Sequence, residues 1–90
     1  MNKTVITVVG KDTVGIIAKV CTYLSENKIN ILDISQTIVQ GYFTMMMIAD
    51  YSAAEKDFVT LAEELKATGS DIGVEIRMQK SEIIDNMHRI

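Results

Sequence analysis

The feature that most constrains this chain is the order in which its apolar residues change period. The spacing runs strand, helix, strand, strand, helix, strand, an alternation of period two with period 3.6. Lys3 to Val9 is rich in Val, Ile and Thr, which suit a pleated surface, and reads as the first strand. Ile17, Val20, Cys21 and Leu24 then fall on one helical stripe, with Lys19, Thr22, Ser25 and Glu26 off it, and Asn27 and Lys28 close the helix. Asn30 to Val39 reads as the second strand, with Ile34 and Ile38 on one face and Asp33, Ser35 and Thr37 on the other. Gln36 interrupts the apolar face without an evident reason. Gln40-Gly41 makes a short hairpin turn into a third strand, Tyr42 to Tyr51. There Tyr42, Met46 and Ile48 point one way and Phe43, Met45, Met47 and Ala49 the other. Both faces are apolar, so a central strand covered on both sides is expected.

Ser52-Ala53-Ala54-Glu55 has the spacing of a capping box, in which Ser caps and Glu reaches back. Phe58, Leu61, Ala62 and Leu65 continue as the stripe of a second helix, and Gly69 suits its left-handed C-cap. Gly73 to Lys80 alternates cleanly, with Val74, Ile76 and Met78 inward and Glu75, Arg77 and Gln79 outward, as in an edge strand. The order is βαββαβ. Split βαβ units with right-handed crossovers give an α+β, ferredoxin-like sandwich: a four-stranded antiparallel sheet, strand order 4-1-3-2, with two helices on one face.

Ninety residues make one domain, 1–80, with 81–90 as an extension of it. In that extension Ile83, Ile84, Met87 and Ile90 recur at helical spacing behind Ser81, which predicts a short C-terminal amphipathic helix. It is expected to pack on apolar surface, that of a partner protomer before that of its own domain. So small a domain has little interior, yet 48% of its residues are hydrophobic, so some apolar surface is expected to meet a second copy in a homodimer.

The net charge is −3 and the nine basic residues are scattered, with no basic run and no interleaved aromatics. Neither nucleic acid nor an anionic membrane is an expected partner. No apolar run reaches the ~18 residues of a membrane span, and the N-terminus runs directly into a strand with no signal peptide before it, so a cytoplasmic chain is expected. Cys21 stands alone, without a disulfide partner or a Cys-x-x-Cys, and reads as a packed thiol. His88 is the one histidine and offers no metal pair; Asp33, Asp50 and Asp57 form no acid–base motif. Gly10 and Gly15 have part of a P-loop spacing but lack the Lys-[Ser/Thr] that follows one. Neither catalysis nor a cofactor nor a metal is expected.

The turn Gly10-Lys11-Asp12-Thr13-Val14-Gly15-Ile16 points to binding instead. It presents a helix N-terminus, whose unpaired N–H groups and dipole suit a carboxylate. Gly10 permits backbone angles that a side chain forbids. Gly15, expected in the first helical turn, either lets a ligand approach or lets the helix pack closely on a strand. Asp12 either caps the helix or meets an ammonium group. Asn30 either contacts a ligand or shapes the turn. The Met45-Met46-Met47 run fills core or forms an adaptable interface.

Val8-Val9-Gly10-Lys11-Asp12-Thr13-Val14-Gly15-Ile16-Ile17-Ala18-Lys19-Val20, followed by Asn30-Ile31-Leu32-Asp33, resembles the opening half of an ACT domain, and the resemblance extends more weakly over the whole chain. It implies a regulatory module that binds an amino-acid effector, with the loop after the first strand and the start of the second strand lining the site, commonly across a dimer interface. On that resemblance Asp12, Thr13, Val14, Gly15 and Ile16, with Asn30 and Ile31, are the candidate ligand residues. The chain is similar to the small stand-alone proteins of that family, in which the Met87-His88-Arg89-Ile90 ending has counterparts. The protein it would regulate is not identified. A ligandless module acting by protein contact alone is the other function class.

Overall fold

Alternating Val, Ile and Thr draw Lys3–Lys11 into the first strand, β1, in a computed structural model that describes residues 2–11 and 14–80. Helix α1 spans Ile16–Glu26, strand β2 Asn30–Val39, strand β3 Tyr42–Asp50, helix α2 Phe58–Ile72 and strand β4 Val74–Lys80. The sheet order is β2-β3-β1-β4, every pair antiparallel, as the sequence predicts. The expected helix over 81–90 lies outside the described residues.

The core lies between the helices and one face of the sheet. Ile6 and Val8 of β1, Phe43, Met45, Met47 and Ala49 of β3, and Val74, Ile76 and Met78 of β4 meet Ile16, Val20 and Leu24 of α1 and Leu61 and Leu65 of α2. The buried stripe of α1 is rotated from the expected one: Ile16 takes the inward position, while Ile17 is exposed and Cys21 only half-buried. Among the described residues the inner strand β3 is packed against helices on one side only, and on its other face Tyr42 and Met46 are exposed and Ile48 is half-buried.

Local chemistry explains the other departures. Ser52 does not cap α2. Its backbone N–H donates to the Asp50 carboxylate, and its hydroxyl oxygen accepts from the Asn2 N–H, which fixes the turn after β3. The cap is Asp57, whose carboxylate accepts from the Thr60 N–H at 2.9 Å. Gly69 is not the C-cap either; it lies inside α2 where that helix touches β4. A Cβ there would stand 2.7 Å from the Val74 carbonyl oxygen. The left-handed cap is Gly73, at φ 79°. Gly10 likewise has no need of unusual angles: it pairs with Val74 inside the sheet, and a Cβ would meet the Val74 Cγ1 at 2.7 Å.

Strand β2 forms one edge of the sheet and is exposed almost throughout. A bulge between Ile31 and Asp33 shifts its register, so that Ile31, Ile34, Gln36 and Ile38 all pair with the helix-facing residues of β3. Gln36 is tolerated there because this edge reaches beyond the helices, and Ile34 and Ile38 are exposed for the same reason.

Candidate functional site

Strand β1 leaves the sheet at the end that carries the β2–β3 hairpin, where Gly10 pairs with Phe43 and Lys11 with Tyr42. Asp12 and Thr13 fall outside the described residues. Val14 is fully exposed and Gly15 takes the N-cap position of α1, so the helix starts after Gly15 rather than around it. Gly15 lies in the left-handed region at φ 91°, ψ 1°, and a Cβ on it would meet nothing within 4 Å. Close packing on a strand therefore does not explain this glycine; its backbone conformation does. Its carbonyl accepts from the Lys19 N–H at 3.0 Å, which closes the first helical turn.

The N-cap supplies no side-chain acceptor, and the first turn contains no acidic residue. Among the described residues, the N–H groups of Ile16, Ile17 and Ala18 thus have neither an intrahelical carbonyl nor a cap carboxylate. Two exposed lysines flank the helix start: Lys11 at the end of β1, and Lys19, which shares with Gly15, Thr22, Tyr23, Thr68 and Asp71 a groove of about 550 Å³ between α1 and α2. Sequence reasoning counted both lysines among the scattered charges. What could have singled them out is their position in the Gly10–Ile16 turn and one helical turn after Gly15.

The direction of α1 is held by a tie to α2. The Tyr23 hydroxyl donates to the Glu64 carboxylate at 2.8 Å, and Lys56 binds the same oxygen at 2.8 Å. The Lys56 ammonium and the Tyr23 hydroxyl together hold the Glu64 carboxyl below its ordinary value. Burial, with the carboxylate beside it, pushes the Tyr23 phenol well above its own, so the tie is charged at Glu64 and neutral at Tyr23 across the neutral range.

Among the described residues, the two parts of the predicted site lie apart within one chain. Ile16 is 3% exposed and its side chain belongs to the core, so it can offer a ligand its N–H but not an apolar wall. Asn30 is exposed and Ile31 half-buried, and they pair with Asp50 and Ala49. That is the opposite end of the sheet from Gly10, whose partner is Phe43. The six-residue step along β3 from Phe43 to Ala49 corresponds to roughly 20 Å. Among the described residues no group of three His, Cys, Asp or Glu side chains could hold a metal ion, and no helix is long and apolar enough to cross a membrane.

A family model described as the ACT domain matches residues 2–79. A UPF0237 protein of Bifidobacterium longum is 63% identical over 90 residues, the whole of both chains. The structure of an ACT domain protein from Streptococcus pneumoniae superposes with a TM-score of 0.81 at 43% identity, covering 92% of this chain and 93% of that one. The fold alone also recurs in a formyltetrahydrofolate deformylase from Pseudomonas syringae, with a TM-score of 0.82 at 22% identity; the match covers 90% of this chain and 28% of the deformylase.

Proposed function

The chain belongs to the ACT domain family, and on that premise we propose that it is a non-enzymatic, cytoplasmic regulatory module that binds an amino acid or similar small carboxylate at a site shared between two copies. The observation that carries this reading is the separation of the two halves of the predicted site. The Gly10–Ile16 turn and the Asn30-Ile31 pair lie at opposite ends of one sheet. A second copy added to the β2 edge removes the difficulty. Antiparallel pairing of two β2 strands about a two-fold axis sets the Asn30 end of each beside the Val39 end of the other. The Val39 end is the end at which α1 begins, since Val39 and Lys11 both pair with Tyr42. The β2 edge also suits such a contact: it is ten residues long, has no strand paired on its outer side among the described residues, and exposes Leu32, Ile34, Ile38 and Val39.

In this arrangement the N–H groups of Ile16 to Ala18 receive the carboxylate, and the helix dipole and the two lysines favour its charge. Asp12 takes the ammonium group. Thr13 and Val14 border the ligand, Gly15 keeps its approach open, and Asn30 and Ile31 of the second copy close the site. Binding would be transmitted to a regulated protein through the dimer.

The second function class, a ligandless assembly module, has one observation in its favour: the loop's Ile16 side chain is already spent in the core. Calorimetry separates the two. The wild-type chain should bind one of the twenty amino acids at millimolar concentration or below. Gly15→Leu and Asn30→Ala homodimers should each lose that binding. A mixture allowed to exchange subunits should recover one site per heterodimer, because one of its two sites receives both halves intact. Failure of the wild-type chain to bind any amino acid hands the role to the ligandless module. Binding by the wild type without recovery in the mixture would place the whole site within one chain.

A further inference from the structure

Strand β2 carries a pattern that its own sheet does not use. Beyond the bulge between Ile31 and Asp33, its pairing with β3 runs without interruption from Asp33 to Val39, and the turn at Gln40-Gly41 ends it. Gln36 is the midpoint of that regular segment. On the helix-facing side Ile34 and Ile38 stand on either side of it, 47% and 58% exposed. On the other side Ser35 and Thr37 flank it in the same way. In chemistry the segment therefore reads alike in both directions from Gln36: a hydroxyl, then an isoleucine. Among the described residues no strand pairs with its outer side.

When two such strands pair antiparallel about a two-fold axis, each residue meets the one equally far beyond the axis, and facing residues point to the same side of the sheet. The position of the axis decides what meets. With the axis at Gln36, Ile34 meets Ile38 of the second copy and Ile38 meets its Ile34, so each exposed isoleucine covers another. Ser35 meets Thr37, hydroxyl to hydroxyl. The two Gln36 side chains face each other, and each amide brings both an acceptor oxygen and a donor nitrogen, so the pair can bond reciprocally. Asp33, the one charged residue of the segment, meets Val39. Other axes fit less well. At Ser35 or Thr37 the axis sets the Gln36 amide against an isoleucine. At Ile34 it sets the amide against Leu32 in the bulge, and at Ile38 against Gln40 in the turn. At Asp33 it brings two carboxylates together, which is destabilising.

We propose that a second copy docks on β2 in this one register, with the two-fold axis at Gln36 and the facing pair of Gln36 amides as the contact that selects it. The inference rests on the β2-edge dimer proposed above and specifies its interface. In the registers centred on Ser35 or Thr37 the amide is covered by an isoleucine and loses water without gaining a partner. Gln36 thus acts as a single polar residue in an apolar seam acts in a coiled coil, where it fixes register at some cost in stability. With an apolar residue in its place, the seam could slide by two residues without turning any side chain to the wrong face. In the Gln36 register, Asn30 lies three residues beyond Asp33 and so reaches past Val39 of the second copy, toward the end at which α1 of that copy begins.

Disulfide trapping on the full chain, with Cys21→Ala as background, tests it. Facing residues of an antiparallel pair have Cα atoms about 4.5–5.5 Å apart, inside the ~4.4–6.8 Å that a disulfide spans. Gln36→Cys is expected to give a covalent dimer under mild oxidation. Ile34→Cys and Ile38→Cys, each about 14 Å from its own counterpart, should not link alone but should link to each other when the two variants are mixed. Gln36→Glu sets two carboxylates face to face and should raise the dimer dissociation constant at pH 7 at least tenfold in sedimentation. If Ser35→Cys or Thr37→Cys links to its own counterpart and Gln36→Cys does not, the register is overturned while the β2-edge dimer stands. If the wild-type chain sediments only as a monomer, or as a dimer in which none of these variants links, both the register and the β2-edge dimer are overturned. An unchanged dissociation constant in Gln36→Glu overturns the facing amides.

Discussion

Replacing Gly15 separates backbone strain from side-chain reach at one position. At φ 91° an L-residue pays for the left-handed conformation, about 1–2 kcal/mol for any residue with a Cβ. Because nothing lies within 4 Å of that Cβ, no clash adds to this figure. Gly15→Ala and Gly15→Leu should therefore lose nearly the same stability, about 1–2 kcal/mol out of the ~5–15 kcal/mol typical of a domain. In a chain of this size the loss corresponds to a fall in Tm of about 5–15 °C. Their effects on binding should differ. Alanine adds one methyl group beside the helix N-terminus and should weaken amino-acid binding, whereas leucine fills the approach and should abolish it. Urea unfolding gives the first comparison and calorimetry the second. Gly15→Ala with wild-type stability would refute the left-handed conformation. A leucine variant less stable than the alanine variant by more than ~2 kcal/mol would refute the open space around Gly15, since overpacking costs of that size need neighbours.

Gly69→Ala should destabilise the protein by about 1–2 kcal/mol even though alanine is the better helix former, because the new Cβ meets the Val74 backbone and Ile76 at under 3 Å and α2 must lift from β4; a gain in the urea midpoint would contradict that close approach. Asp57→Ala should lower the thermal midpoint, and Glu55→Ala, which loses only an exposed ion pair with Lys28, should do so much less; the reverse order would restore the Ser52–Glu55 capping box. Tyr23→Phe should cost about 1 kcal/mol by urea unfolding through loss of the hydroxyl bond to Glu64, and no loss would mean that the tie does not hold α1 to α2. The Asp50, Asp57 and Glu64 carboxyls are held below their ordinary values by Ser52, Thr60 and Lys56 in turn, so their contribution is complete above the unfolded carboxylate range of about 4 and is lost as the pH falls through the lower folded values; stability that rose on acidification from pH 5 to pH 3 would reverse the sign.

The sequence carried the fold through its periods, and the structure departs from it where a local signal had a competitor. Val74, Ile76 and Met78 alternate with charged and polar residues, and no other arrangement buries them, so β4 and its inward face were legible. Leu61 and Leu65 fixed the buried face of α2 in the same way. The bounds of that helix were less legible. Ser52 and Glu55 have the capping spacing, but Asp50, two residues before, takes the Ser52 hydrogen bonds, and the cap passes to Asp57. The two glycines near its C-terminus look alike in sequence, and only the approach of β4 distinguishes Gly69 from Gly73. In α1 the paired Ile16-Ile17 supports two stripes one residue apart, and the choice depends on where the helix meets the sheet. The candidate site was legible as a motif but not as a geometry. Asn30 and Gly15 are fifteen positions apart in the chain, yet lie at opposite ends of the fold because α1 runs the length of the sheet between them.

The position of β1 also governs how the sheet is assembled. It is an inner strand, with β3 on one side and β4 on the other, and Thr4 faces Lys80 across the second of these pairings. The β2–β3 hairpin, turned through Gln40 and Gly41 at positive φ, is the one strand pair that forms from adjacent segments. Every other pairing closes a long loop, and the buried Thr4 hydroxyl finds its acceptor, the Gln79 carbonyl, only when the last strand arrives. A nascent chain lacking β4 has β1 with an unfilled edge and a core without Val74, Ile76 and Met78. The hairpin is therefore the natural nucleus, and docking of β4 is the step that commits the domain. Until that step, the free edge of β1 is where a chain of this fold is most exposed to pairing with the wrong neighbour.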